Sequence, residues 1–425
     1  MVSHSPAWYR ARRYLHFDVP IGLRKAETIV SNPEAVSRHS FYPLIVYEIT
    51  SFKVKKDKIT NRIERVEKKR PIAYASHIDS HIYSYYAEKL SELYEVALKE
   101  AGIGDSVLAF RSLGKSNIEF AGEAFKEISR RDECGVVALD VKGFFDNLDH
   151  DVLKCSWAKM LKSRVLPKDH FSVFKSITKY SSVRRDEIFG LFGISENNPK
   201  AGRVRICEAV EFRNRVRVGG CIKRNSHNFG IPQGSSISAL LSNIYMFDFD
   251  VAACEMVKKY GGRYFRYCDD MLFVVPKSMR NSVAGEVRGR IRSLKLDINT
   301  KKTEICAFTK IAVGHECDKP LQYLGFVFDG RKILLRSAAL ARFSERMKAG
   351  VKLAKSTARK HNSLRVDHGR DKKELFKRKL YERYSHLGRR NFIRYGYRAA
   401  EILDSNSIKR QLKPLWDRLQ DEIRK

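Results

Sequence analysis

Along this chain, continuous apolar runs alternate with stretches in which apolar residues recur every three or four positions. From Ile78 to Lys99 the recurrence is helical, with Ile82, Tyr85, Tyr86, Leu90, Leu93 and Val96 at spacings of three and four. Val136 to Leu139 is an unbroken apolar run, the pattern of a strand buried on both faces, and it ends at Asp140. "DNLDHDVL" then supplies N-capping side chains ahead of a periodic helical stretch. "GIPQGSSISALLSNIYMFDFD" (230–250) opens as a Gly/Pro loop and becomes a helix with Ile237, Leu240, Leu241, Ile244 and Tyr245 on one face. "FRYCDDMLFVV" (265–275) reads as strand, two- or three-residue turn, strand, and "YLGFVFDGRKILL" (323–335) as a hairpin around Asp329-Gly330. "LKLDINTKKTEIC" (294–306) looks like a further strand edge. For "KVKKDKITNRIERVEKKR" (53–70) a hairpin and a short helix both fit. Residues 181–228, rich in Arg and Gly with weak periodicity, read as an extended, partly looped insertion. Beyond Arg336 the helical period returns: Phe343, Met347, Val351; Phe376, Leu380, Tyr384; Leu412, Leu415, Trp416, Leu419. Strands and helices interleaved in this way predict an α+β protein.

Charge changes the picture most. The 425 residues carry 82 Lys and Arg against 49 Asp and Glu, a net +33, with 43% hydrophobic residues. Such an excess calls for a polyanionic partner, with nucleic acid first and an anionic membrane surface second. No run of 18 apolar residues and no signal-peptide block occurs, so no membrane partner and a cytoplasmic location are expected. The eight cysteines are scattered without a disulfide framework, which fits a reducing compartment. No CxxC pair accompanies Cys306, His315 and Cys317, so no zinc site is expected. Residues 336–425 hold 26 Lys and Arg against 10 Asp and Glu, about half of the excess in a fifth of the length. That concentration on amphipathic helices points to phosphate-backbone binding. Lys372, Lys373, Lys377 and Arg378 are its candidate contacts.

Asp269 and Asp270 stand next to each other between two apolar strands. Two like charges at about 4 Å and an effective dielectric near 20 repel by roughly 4 kcal/mol. The cost makes sense if Asp140, at the end of another buried strand, joins them at one rim. Magnesium takes hard oxygen ligands, and two such ions support in-line phosphoryl transfer. Two other motifs fail: "GKS" (114–116) lacks the first glycine of a P-loop, since that position is Ala109, and "GSSIS" (234–238) lacks the second glycine of a nucleophile elbow.

With the three carboxylates in place, the chain resembles the reverse transcriptases. "YCDD" (267–270) is similar to their Y-x-D-D hairpin, and "LDVKGFFDNLDHDVL" (139–153) to their first catalytic strand and following helix. "GIPQGSSISALLSNIYM" (230–246) resembles the P-Q-G segment, "LDINTKKTEI" (296–305) the N-x-x-K-T segment and "LQYLGFVF" (321–328) the primer-grip hairpin. "KRPIAYASHIDSHIYSYYAEKL" (69–90) and "LAFRSLGKSNIEFA" (108–121) resemble two fingers segments of the bacterial enzymes. The seven segments come in family order over roughly residues 69–335.

The resemblance implies a right-hand polymerase fold with fingers, a palm of antiparallel sheet plus helices, and a helical thumb. Residues 1–135 would be the N-terminal region and fingers, 136–180 the first part of the palm, and 181–235 a fingers insertion. Residues 236–320 would complete the palm, 321–335 would be the primer-grip hairpin and 336–425 the basic thumb. Asp140, Asp269 and Asp270, with the Val141 carbonyl, would hold two Mg²⁺ ions. Phe145 would lie beneath the incoming sugar and exclude a 2′-hydroxyl; a plain core phenylalanine is the other reading. Gln233 and Gly234 would line the nucleotide. Arg111 would grip the triphosphate, or be a surface arginine. Lys302 would donate a proton to pyrophosphate, with Lys301 one residue away as the alternative.

The small Cys268, the insertion and the compact basic end resemble the stand-alone bacterial defence-associated reverse transcriptases, type 2 group. Retron and group II intron enzymes are their relatives. The implied partners are a structured noncoding RNA as template, its cDNA and deoxynucleotides, and the implied role is anti-phage defence in the bacterial cytoplasm. The alternatives are a retron-type or intron-like enzyme without that role, an RNA-directed RNA polymerase, and a catalytically silent RNA-binding scaffold.

Overall fold

The computed structural model describes residues 5–56 and 63–425. The chain divides into two compact units: Met1–Phe110 with Val141–Ala253 and Val287–Ile298, and Arg111–Asp140 with Cys254–Glu286 and Asn299–Lys425. Both combine sheet with helices; the sheet of the first unit is mixed, since Leu44, Ile45 and Val46 pair parallel with Ser182, Val183 and Arg184, and the sheets of the second are antiparallel, so the α+β class expected from the pattern is the one adopted.

In the first unit, Leu44–Lys56 and Ile63–Tyr74 pair antiparallel from Ile45↔Tyr74 to Lys56↔Ile63. This selects the hairpin over the helix for the basic stretch; its residues 57–62 lie outside the described residues. The sheet continues through Ser181–Arg184 to Lys223–Arg224. The helix His77–Glu100 forms where the periodicity placed it, and Ile82, Tyr86 and Leu90 are buried. Its later turns depart from the expected face. Tyr94 and Leu98 are buried, whereas Leu93 and Val96 are 39% and 51% exposed, because the buried stripe turns with the helix while the apolar residues continue around it.

The insertion is more ordered than an extended loop. It contains the helix Arg185–Leu191 and a π-helical turn, Phe212–Arg217. Val183, Ile188, Phe189, Ile206, Phe212 and Val216 close a core with Leu15, Phe17 and Ile45. Its apolar residues come from separate short elements, so no single period announces them.

The second unit is built on a five-stranded antiparallel sheet in the order Arg263–Tyr267, Asp270–Val275, Glu133–Asp140, Glu304–Lys310, His315–Cys317. Glu133–Asp140 lies at its centre and every residue after Glu133 is buried. "LKLDINTKKTEIC" is a strand only from Glu304; before it comes a 3-10 turn, Thr300–Lys302. A meander of Leu321–Tyr323, Phe326–Phe328 and Ile333–Leu335 follows. Phe328 stacks on Phe125 of the helix Asn117–Ser129 at 5.0 Å and on Phe308 of the large sheet at 5.5 Å. The last ninety residues are helical as expected, with Met347, Val351, Leu380 and Leu419 sharing a core. Phe376 is an exception. It precedes the helix Arg378–Tyr384 in an irregular segment and is 64% exposed. Among the described residues no helix is long and apolar enough to cross a membrane.

Candidate active site

The site grows from one hairpin. Tyr267 pairs with Asp270 across the two strands, which leaves Cys268 and Asp269 as a two-residue turn. Such turns match the twist of their strands when the backbone enters the left-handed region. Cys268 does so at φ +61°, a conformation that costs a side-chain-bearing residue about 1 kcal/mol. Its position is over-determined from below: Tyr264, Phe265, Leu272, Phe273 and Val274 are buried, and the wholly buried Arg266 donates from Nη1 to the Cys268 carbonyl at 3.2 Å.

The neighbouring strand brings the third carboxylate. Asp140 lies directly opposite Asp270 in the antiparallel register, so Asp140, Asp269 and Asp270 share one rim of the sheet. Asp140 is held from the other side. The Asn299 backbone N–H donates to its carbonyl at 2.7 Å, and the Asn299 side-chain amide donates to its Oδ1 at 3.1 Å. Lys302, set by the 3-10 turn, donates to Oδ2 at 2.5 Å. Of the two adjacent lysines it is therefore Lys302 that reaches the carboxylate; Lys301 is exposed and lines the same cleft.

Burial above all, then the charges of Asp269 and Asp140, pushes the Asp270 carboxyl up to about 7, against the pull of Lys302 and Arg336. Burial and Asp140 likewise raise Asp269. The rim thus holds more negative charge than the surrounding protein stabilises, and hard carboxylate oxygens are the donor set a divalent cation prefers. The residues fit such an ion. Among the described residues no group of three or more His, Cys, Asp or Glu side chains is arranged so that it could hold a metal ion as it stands. Both Asp140 oxygens are instead engaged by Asn299 and Lys302.

A cleft of about 540 Å³ opens beside Asp140 and Asp270 and is lined also by Lys302, Arg336 and Asn117. Its far wall is the turn Tyr323-Leu324-Gly325, where Leu324 and Gly325 have φ of +46° and +95°. The Asn117 amide donates both to the Leu324 carbonyl at 3.0 Å and to the Tyr395 hydroxyl at 2.9 Å, so one side chain ties this turn to a C-terminal helix. Arg266, Asn299, Asn117 and Arg336 carry no role in the sequence reading. Asn299 stands inside "LDINTKKTEI", three residues before Lys302, so its signal is local; the others have no local signal, because contacts far along the chain give them their place.

The remaining candidates fall elsewhere. Val141, Phe145, Gln233 and Gly234 belong to the first unit. There Val141 is buried and bridges to Ile298, and Phe144, not Phe145, is the buried ring of its pair. The Phe145 carbonyl accepts from Ile231 N–H at 2.9 Å, and Gln233 Nε2 donates to Asp146 at 3.4 Å, so the "FFD" and "PQG" segments are joined. Gly234 has φ +107°, and a Cβ there would come within 2.5 Å of the Ala73 carbonyl oxygen, so glycine is required. Arg111 is half-buried in the irregular segment before Asn117–Ser129 and is not among the residues lining the cleft. Lys372, Lys373, Lys377 and Arg378 are all exposed, and Arg378 pairs with Glu382 at 3.0 Å.

The chain has no match among curated protein sequences. Among solved structures it is similar to apo telomerase from Candida tropicalis truncated from its C-terminal domain, at 11% identity over 75% of this chain and 61% of that one, TM-score 0.40. It is similar to apo telomerase from Candida tropicalis at 15% identity over 67% and 47%, TM-score 0.39. It is also similar to telomerase from Candida albicans in complex with a TWJ fragment of telomeric RNA, at 11% identity over 92% and 64%, TM-score 0.38. The chain spans between about half and two thirds of the length of those telomerase chains. The family profile described as "Reverse transcriptase (RNA-dependent DNA polymerase)" matches residues 54–328. With more than half of its length inside that match, and the carboxylate rim inside it too, the chain belongs to the reverse transcriptase (RNA-dependent DNA polymerase) family.

Proposed function

We propose that this protein is an RNA-directed DNA polymerase that extends a primer 3′-hydroxyl with deoxynucleotides on an RNA template. The observation that carries this is the register that sets Asp140 opposite Asp270, with Asp269 in the turn, inside the matched segment. Reverse transcriptase domains work with divalent metal ions; two Mg²⁺ at Asp140, Asp269, Asp270 and the Val141 carbonyl are the assignment proposed for this chain. Such ions supply Lewis-acid stabilisation of the attacking and leaving oxygens. The protein's own groups do the rest. Lys302 holds Asp140 aimed, and is placed to hand a proton to pyrophosphate. Phe145 selects against a 2′-hydroxyl, Gln233 and Gly234 contact the nucleotide, and Arg111 takes the triphosphate. Lys372, Lys373, Lys377 and Arg378 hold backbone phosphates. The finer reading follows the resemblance: a type 2 defence-associated enzyme of the bacterial cytoplasm, copying a structured noncoding RNA into cDNA against phage.

The test is incorporation of deoxynucleotides on a primed RNA template. The parent chain is expected to extend the primer with Mg²⁺ and to prefer deoxynucleotides, a preference that Phe145→Ala relaxes. The double variant Asp269→Ala, Asp270→Ala is expected to be inert; full extension by it overturns the reading. Sequencing the RNA and DNA that co-purify with the protein, with and without phage infection, tests the finer part.

A further inference from the structure

A groove of about 720 Å³ opens in the helical end and lies wholly within the second unit. One wall is the helix Ser337–Asp367, which faces it with Gly350, Leu353, Ala354, Ala358, His361 and Arg365. These positions share one side of the helix and form a stripe about 22 Å long from Gly350 to Arg365 at the helical rise. The other wall is Leu375 and Phe376 of the irregular segment, then Leu380 and Tyr384 of the helix Arg378–Tyr384. The groove is preformed. The Asn362 amide donates to the Lys373 carbonyl at 2.8 Å, and its oxygen accepts from the Lys373 N–H at 2.9 Å. Arg365 Nε donates to the Asp371 carbonyl at 2.7 Å, so the irregular segment is tied to the long helix at two points. At the other end a Cβ on Gly350 would fall 2.3 Å from the Tyr384 hydroxyl, and glycine is what lets the two helices approach. Within this rigid frame two large apolar side chains stand in solvent, Leu353 at 69% and Phe376 at 64% exposure.

The rim is cationic. Lys373, Lys379 and Arg383 are exposed, Arg365 is half-buried, and Glu374 is the one carboxylate of the lining. Among the described residues Lys379 and Arg383 have no ion-pair partner. An occupant must therefore bring apolar groups for the floor and negative charge for the rim. A nucleic-acid backbone meets only the second need, and base stacking runs over successive rings, whereas Phe376 is the one exposed phenylalanine or tyrosine of the lining. A second copy of this chain carries the same net +33 and would meet like charge. A helix with apolar residues at i, i+3 or i+4 and i+7 and carboxylates beside them meets both needs, and about four of its turns span the stripe. We propose that this groove docks an acidic amphipathic helix of a partner protein, with its apolar anchors against Leu353 and Phe376 and its carboxylates at Lys379 and Arg383. The proposal stands apart from the polymerase reading: Lys372, Lys377 and Arg378 do not line the groove, and of the residues assigned to phosphate only Lys373 does.

The experiment uses the full chain and three fluorescent helical peptides about four turns long. The first has leucines at i, i+3 and i+7 and glutamates on its flanks. The second has the same residues reordered so that the leucines spread around the helix, and the third has glutamine for every glutamate. The first is expected to bind on the order of tenfold more tightly than either control. With benzoylphenylalanine in place of one leucine, it should crosslink to a segment containing Leu353 or Phe376. The double variant Leu353→Ser, Phe376→Ser changes two exposed side chains without changing charge. It should lose about tenfold in affinity for the first peptide while its melting temperature and its affinity for a short RNA duplex stay as in the parent. Lys379→Glu with Arg383→Glu should abolish the preference for the acidic peptide over the glutamine one. Equal binding of the reordered peptide would reduce the effect to net charge and overturn the proposal, as would crosslinks only to other segments. Loss of RNA affinity in the double serine variant in proportion to peptide affinity would make the groove a nucleic-acid surface instead. Self-association of the parent in sedimentation that this variant abolishes would make the occupant a second copy, and either result overturns the assignment.

Discussion

The carboxylate rim and the basic C-terminal helices lie in one unit and both depend on charge, but in opposite regimes. The rim holds three acids at positions set by strand register, with Asp140 only 6% exposed. The helical end spreads 26 cations over ninety residues, and its candidate contacts stand in solvent. In the first, effective dielectric is low and each charge acts on the next. In the second, water and salt screen every charge, so single residues matter little and the sum matters. A substitution in the first should therefore behave as a switch, and one in the second as a small increment.

The sharpest way to break that contrast is to compare rates. Asp270→Ala alone is expected to lower nucleotide incorporation on the order of a thousandfold, about 4 kcal/mol of barrier. Neutralising Lys372, Lys373, Lys377 and Arg378 together should leave the rate at saturating template within a few-fold. If the quadruple variant is as slow at saturation, those residues are no passive phosphate holders.

Stability gives the next largest difference. Folding raises the Asp270 carboxyl from 3.8 to about 7, so between those pH values the folded state binds more protons than the unfolded one. The contribution of Asp270 to metal-free stability is then fully present below about pH 4 and declines as pH rises toward 7. Asp270→Asn removes the decline, and in urea melts with chelator it should exceed the parent at pH 8 on the order of 2 kcal/mol, with the two converging near pH 4. A stability difference between Asp270→Asn and the parent that stays flat from pH 4 to 8 would contradict the buried repulsion.

The two regions also differ in how much of each is legible in the sequence. Strands 136–139 and 271–275 are apolar without break, so the sheet centre and its terminal acids can be read locally. The turn is equally local, since "CDD" between strands leaves two or three residues to reverse the chain, and the pairing of Tyr267 with Asp270 settles on two. What cannot be read is whatever depends on distant packing. Arg266 looks like any strand arginine until its burial under Cys268 is seen, and Asn117 gains its place from Leu324 and Tyr395, more than two hundred residues away. The insertion hides its core because its apolar residues come from several short elements. In the helical end the period is legible but its limits are not: Phe376 keeps the spacing to Leu380 and Tyr384, yet falls before the helix begins and remains exposed.

Asn299 sharpens the comparison inside the rim. Its backbone N–H holds the Asp140 carbonyl and its amide holds Oδ1, so Asn299→Ala removes only the second. The expected cost is about tenfold in incorporation, at the lower edge of the roughly 1.5–3 kcal/mol of a hydrogen bond to a charged group. A raised Mg²⁺ requirement should accompany it if the effect runs through Asp140. Asn299→Asp, which places another negative charge against that carboxylate, should be worse than Ala; an Asp variant equal to the parent would show that the amide orients nothing.

The smallest effects belong to the helical end, and their additivity is the point. Each phosphate deprived of its lysine or arginine should lower the slope of log affinity against log salt by about 0.7 to 0.9. Lys373→Ala alone is thus expected to weaken RNA binding only a few-fold at near-physiological salt. Lys372, Lys373 and Lys377 are exposed, so each should contribute a similar step. Arg378 already pairs with Glu382 at 3.0 Å and should contribute less, unless RNA draws it away. Glu382→Gln separates the two cases: it should tighten binding slightly if the ion pair competes with phosphate, and change nothing if Arg378 never meets RNA. Four substitutions that add nearly independently would place these residues in the screened, additive regime. Disappearance of the entire slope on removing one would make that residue a fixed anchor, closer in kind to Asp140 than to its neighbours.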